Sequence, residues 1–244
     1  MTSPSGVRYS QGKKDIGDAK NFPWEHPVPE NKFWNDLSFV TGRNFLQSFS
    51  VEEVEQLPID PESHLPKDEK LKQLLVLLHE KLAREDAAAA PQTYYDVDFK
   101  GWNTLQLGVY TMQDQLELPE AEPTLRMMVD KRKDKSNLSH LHTLASLLLK
   151  QGKYVEAEEA ARPVCDWLDG LVGKNSPQAL GSRRMIAQAV WRQGPSRHAE
   201  AARLFAEIKE LIATMDGGRF AVYKDEELEM VEKLINDLEK EGTN

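Results

Sequence analysis

The sequence predicts an all-α fold in which antiparallel helix pairs stack into an α-solenoid. Three observations predict it. One pattern occurs twice at a fixed spacing: Leu144-Ala145 returns 42 residues later as Ile186-Ala187, and Gln151-Gly152 returns at the same interval as Gln193-Gly194. Self-similarity at a fixed period is the mark of a stacked repeat. Within each copy the apolar residues recur at helical spacing, and no stretch of the chain reads convincingly as a strand.

The first copy shows what the unit is. Leu141, Leu144, Ala145 and Leu148 fall at i, i+3, i+4 and i+7, one face of a helix. After a polar break at Lys150–Lys153, Ala157, Ala161, Val164, Leu168 and Leu171 form a second stripe. Gly152 can end the first helix by taking a positive φ without a Cβ clash. Such a pair cannot bury its apolar face alone, so it must stack on a neighbour.

At these residues the chain resembles the tetratricopeptide repeat (TPR) family. Leu144, Ala145, Leu148, Ala157 and Ala161 match its alternation of large and small residues. In the second copy Ile186, Ala187, Val190, Ala201 and Phe205 do the same. The period exceeds the usual ~34 residues, and the words QGKYVEAE and AQAVWRQG are similar to the long-period repeats of kinesin light chains. Two departures stand out. The second copy has two extra residues between Gly194 and Ala201. Also, His142-Thr143 and Arg184-Met185 stand where the kinesin-light-chain type carries groove-side Asn. The resemblance implies a right-handed TPR-like solenoid whose first helices line a concave groove.

The remaining elements follow in chain order. Residues 1–30 are rich in Pro, Ser, Gly, Lys and Asp, without periodicity, and read as a flexible segment. Trp24 and Trp34 stand at its end among prolines and acids, and aromatics in such a setting are expected to pack on the chain's own helices. Residues 31–97 read as a helical extension. Ser50 with Glu53 predicts a capping box and a brief helix through Gln56. Pro58, Pro61 and Pro66 hold the next stretch open. Lys67–Ala87 is a strong helix on Leu71, Leu74, Leu75, Leu78 and Leu82, which Ala87–Ala90 can extend before Pro91. Residues 98–244 are assigned to the repeats. Phe99–Gln115 and Pro119–Lys131 are two helices, and Leu107-Gly108, Ala121, Leu125 and Met128 suggest a worn earlier repeat. The basic run Lys131–Lys135 suits the end of a helix, where cations are favoured. Ser176-Pro177 opens the next repeat with a cap and an N1 proline. After Gly217-Gly218, Asp225–Lys240 places Leu228, Val231, Leu234, Ile235 and Leu238 on one face, as a capping helix needs.

Composition narrows the function. The chain has 244 residues, a formal net charge of −9 and 40% hydrophobic residues; the mean hydropathy is −0.58 and the pI about 5.3. An acidic chain is a poor ligand for duplex nucleic acid or an anionic membrane. One cysteine, Cys165, excludes an internal disulfide and fits a reducing, cytoplasmic setting; its place on a helix suggests a small apolar filler. The N-terminus shows no secretory signal, and the apolar run Leu74–Leu78 is too short to cross a bilayer.

No catalytic motif emerges. The six histidines form no HExxH, and His140 and His142 diverge on a helix rather than converge on a metal. There is no phosphate-binding glycine loop and no GxSxG. The expectation is a protein that is not an enzyme, with no cofactor and no metal. What the sequence offers instead is a groove. The resemblance places Ser139, His142, Thr143, Ser146 and Lys150 on it, then Arg184, Met185, Gln188, Trp191 and Arg192. Positions 142, 146, 150 and 184, 188, 192 each step by four, one ridge opposite the packed stripe. Three cations beside Trp191 and Met185 suit a protein or peptide partner that carries acids and a bulky apolar anchor. The pattern of chaperone-binding family members is not met, because His142 and Ser146 stand where Lys and Asn would be expected. The reading is therefore an adaptor, with the acid-flanked Trp24-Glu25 and Trp34-Asn35-Asp36 as self-ligands that would compete with a partner. Two alternatives remain open: a regulatory subunit that docks through its N-terminal half, and a helical enzyme with a small-molecule pocket.

Overall fold

In a computed structural model, residues 7–8 and 27–241 are described. Among them the regular structure is helical apart from one minimal antiparallel pairing, Val7–Arg8 with Val28–Pro29. No helix among these residues is long and apolar enough to cross a membrane. The chain divides into two compact units, Met1–Met128 and Val129–Asn244.

The first unit holds α1 (Lys32–Asn35), α2 (Phe39–Leu46), α3 (Val51–Glu55), α4 (Lys67–Ala89), α5 (Tyr94–Val97), α6 (Phe99–Gln115) and the greater part of α7 (Ala121–Lys131). Caps set most of the short starts. Ser38 accepts from Thr41 N, Thr93 and Asp96 form a capping box, and the Ser50–Glu53 box is present as its spacing predicts. α4 continues to Ala89, and α6 spans the predicted residues. α6 packs on α2, α4 and α5. Gly108 is the point of closest approach: a Cβ there would lie 2.9 Å from Ser48 Oγ and 3.1 Å from the Asn44 carbonyl oxygen. This glycine thus serves packing on α2 and α4, where the sequence suggested a worn repeat.

Two buried lysines on α4 hold the N-terminal helices. Lys70, 0% exposed, donates from Nζ to the Lys32 carbonyl at 2.7 Å and to Asp36 at 2.6 Å. Its ammonium also lies 5.6 Å from the centre of the Phe33 ring. Lys81 repeats the device three turns on, pairing with Glu53 at 2.5 Å and lying 5.0 Å from the Phe49 ring centre. A buried ammonium without partners would be costly, so the carboxylate, carbonyl and ring face together make these positions tenable. Trp34 is 4% exposed and packs on Phe33 and Phe45, as expected of an aromatic that docks on the chain's own helices, and this burial counts against its being a free self-ligand. Trp24-Glu25 lies outside the described residues.

The second unit is a run of consecutive packed helices: α8 (Ser139–Lys150), α9 (Tyr154–Val172), α10 (Pro177–Arg192), α11 (His198–Ala213) and α12 (Lys224–Glu241). The duplicated glycines do the same work. Gly152 and Gly194 both have positive φ, 77° and 119°, and follow α8 and α10. Cations end α7 as expected: Arg132 donates to the Val129 carbonyl and Lys135 to that of Asp130. The buried stripes are those of the sequence: Leu144, Ala145 and Leu148, then Ala157, Ala161, Val164 and Leu168, then Ile186, Ala187 and Val190. Leu171 departs from its expected place, at 62% exposure. The stripe 164, 168 advances by four to Val172, which packs on the Val164–Leu168–Ala179 core and leaves Leu171 on the solvent side. Cys165 is buried and free, and burial pushes its thiol up to about 11, more than Arg183 pulls it down.

Candidate peptide-binding surface

The predicted site residues lie on α8 and α10, two helices in contact with one another, with α9 against both. On α8, Ser139, Ser146 and Lys150 are exposed, and His142 and Thr143 are half-buried. Ser139 donates its hydroxyl to Asn137 at 2.7 Å, and Thr143 bonds back to the Ser139 carbonyl at 3.2 Å. Desolvation holds His142 below the ordinary imidazole range, and His140 as well, with Arg132 adding to the effect there. Both are therefore neutral near pH 7.

On α10 all five residues are half-buried, and three already have partners. Trp191 stacks on His198 with the ring centres 3.9 Å apart and the planes at 5°. Arg184 pairs with Glu227 of α12, whose side chain is buried. Arg192 donates from Nη2 to Glu241 at 2.9 Å and lies 5.7 Å from the Tyr154 ring centre. The two cations that the sequence singled out on α10 are thus covered by acids of the chain's own last helix. Burial pushes the Glu227 carboxyl above its ordinary value, and the Arg184 charge only partly opposes that. Arg183, next to Arg184 but turned the other way, makes a two-bond fork with Asp169 of α9, both contacts at 2.7 Å.

The acid that organises the turns escaped sequence reasoning. Glu158 of α9 receives Arg162 from its own helix, Gln193 at 2.6 Å, and Arg197 from the turn just before α11. Arg197 and Arg162 also reach Glu200, at 2.6 Å and 3.1 Å. Burial alone would raise the Glu158 carboxyl, but Arg197, Gln193 and Arg162 override it and hold the group down to about 2. Glu158 and Arg162 sit at i, i+4, a visible signal. Gln193 and Arg197 come from another turn, so spacing could not reveal them. Beside this network, Gly152–Glu156, Gln193, Ser196 and Arg197 line an open cleft of about 450 Å³.

Chemically, the surface presents hydroxyls and one ammonium on α8, while on α10 the guanidinium groups are engaged by Glu227 and Glu241 and the indole by His198. These are groups that hold carboxylates and large apolar side chains. No protein-family model, no curated protein and no solved structure matches the chain.

Proposed function

We propose that the second unit is a short right-handed solenoid of TPR-like helix pairs, and that the protein is a non-enzymatic adaptor that holds an acidic partner segment along α8 and α10. The duplication carries this reading: α8–α9 and α10–α11 repeat the same pair, with a glycine ending its first helix, at a spacing of 42 residues. Stacked pairs place equivalent helices side by side, which makes α8 and α10 neighbours on one face. Exposed Ser146 and Lys150 on α8, beside the α10 arginines that already hold Glu227 and Glu241, give that face its acid-accepting character.

Selection of random peptides on the full chain tests the reading. Enriched peptides should carry acids around one bulky apolar residue, and Lys150→Glu should lose at least about tenfold in their capture, since one charge-assisted contact is worth ~1.5–3 kcal/mol. No enriched peptide, or capture indifferent to Lys150→Glu, would remove the adaptor role.

A further inference from the structure

We infer that the side of α10 carrying Arg184 and Arg192 is a docking surface for an acidic amphipathic helix of a partner protein, and that α12 is a built-in, exchangeable occupant of it. The inference rests on the adaptor reading and names both its partner class and its control.

Charge complementarity defines the occupant. Glu227 meets Arg184 and Glu241 meets Arg192, in the same order along both helices, so α12 runs parallel to α10. Between these acids, Val231 and Leu238 are the apolar side chains of α12 that are fully buried; Leu228, Leu234 and Ile235 are only half-covered. A partner helix with acids at both ends of such a stripe would make the same contacts.

The occupant fits imperfectly, which makes it replaceable. Glu241 engages Arg192 only through Nη2, and Arg192 Nε is buried with no acceptor. A carboxylate spanning Nε and Nη2 would form a two-bond fork, as the Asp169 carboxylate does on Arg183 through Nη1 and Nη2. Glu227 gives up its hydration for a single ion pair, and buried pairs of this kind add little net attachment. α12 is joined to α11 through a segment containing Gly217-Gly218, with Gly217 at φ 67°. Tethering keeps α12 at high local concentration, so it occupies the surface until a better-fitting helix competes.

The test uses the full chain and a labelled synthetic peptide of residues 224–241 as the probe. Val231→Asp loosens α12, and Glu227→Gln with Glu241→Lys loosens it while leaving the apolar contacts in place, in case the first variant misfolds. Either loosened chain should bind the probe at least about tenfold more tightly than the unaltered chain, because the competing state is depopulated. Adding Arg184→Glu and Arg192→Glu should abolish that gain. Equal probe binding by loosened and unaltered chains overturns the inference. So does a loosened chain that dimerises with rising concentration in place of binding the probe, which would make a second copy the occupant. If the probe fails while Lys150-dependent peptide capture persists, the occupant idea falls and the adaptor reading stands; if neither chain captures any peptide, both fall.

Discussion

Replacing Glu158 by Gln should lower stability near neutral pH and cost nothing in strong acid. The carboxylate is held down to about 2 from an ordinary 4.5. At ~1.4 kcal/mol per pK unit, the full shift would correspond to about 3.4 kcal/mol. Two of the partners are well hydrated, Arg162 at 48% and Arg197 at 29% side-chain exposure, so solvent screening reduces the figure to about 1–2 kcal/mol. The sign follows from the direction of the shift. A group whose folded value is depressed contributes stability above its unfolded value, here 4.5, and loses it as pH falls toward 2. Urea unfolding of both chains, followed by far-UV circular dichroism at several pH values, measures the difference. It should be about 1–2 kcal/mol near pH 7 and close to zero near pH 2. A difference that stays constant across that range would show that the Gln amide acts by shape, and would refute the charge argument.

Four further outcomes follow from particular contacts. Arg183→Ala strands Asp169 between α9 and α10 and should cost about 3–5 kcal/mol in urea unfolding, whereas Arg183→Met with Asp169→Leu should be near neutral. Gly108→Ala forces a Cβ against the Asn44 carbonyl at 3.1 Å and should destabilise by about 1–3 kcal/mol, while Gly170→Ala, with nothing within 4 Å, should stabilise by about 0.5–1 kcal/mol in the same assay. Lys70→Met leaves the Lys32 carbonyl without its donor and should cost about 1–3 kcal/mol, seen also as faster proteolysis around α1. Cys165, pushed up to about 11, should resist a thiol reagent at neutral pH in the folded chain and react at once in denaturant.

Much of the helical order was legible because helices signal themselves locally. The 42-residue duplication, Gly152 and Gly194, the Ser50–Glu53 box, and the Ser176-Pro177 start each involve residues close in sequence. What was not legible depends on which side chain faces which neighbour. Lys70 and Lys81 look like solvated positions of a charged helix until α1 and α3 fold over them. Arg183 and Arg184 are adjacent letters with opposite fates, one in a fork to α9 and the other under α12. Glu227 reads as one acid among several at the start of a polar helix, and only its burial against Arg184 distinguishes it from Asp225 and Glu226. The helices α8 and α10 that carry the candidate surface were legible from periodicity, while the acids that cover part of it belong to contacts spanning more than forty residues.

The outward side of α12 is an array of charge. Asp225, Glu226, Glu229, Glu232, Lys233, Asp237, Glu239 and Lys240 all face water, with Met230 the lone large apolar residue among them. Another molecule docking on this face would have to strip hydration from the array with no greasy patch in return. Self-association through this face is thereby opposed by a row of ionised groups.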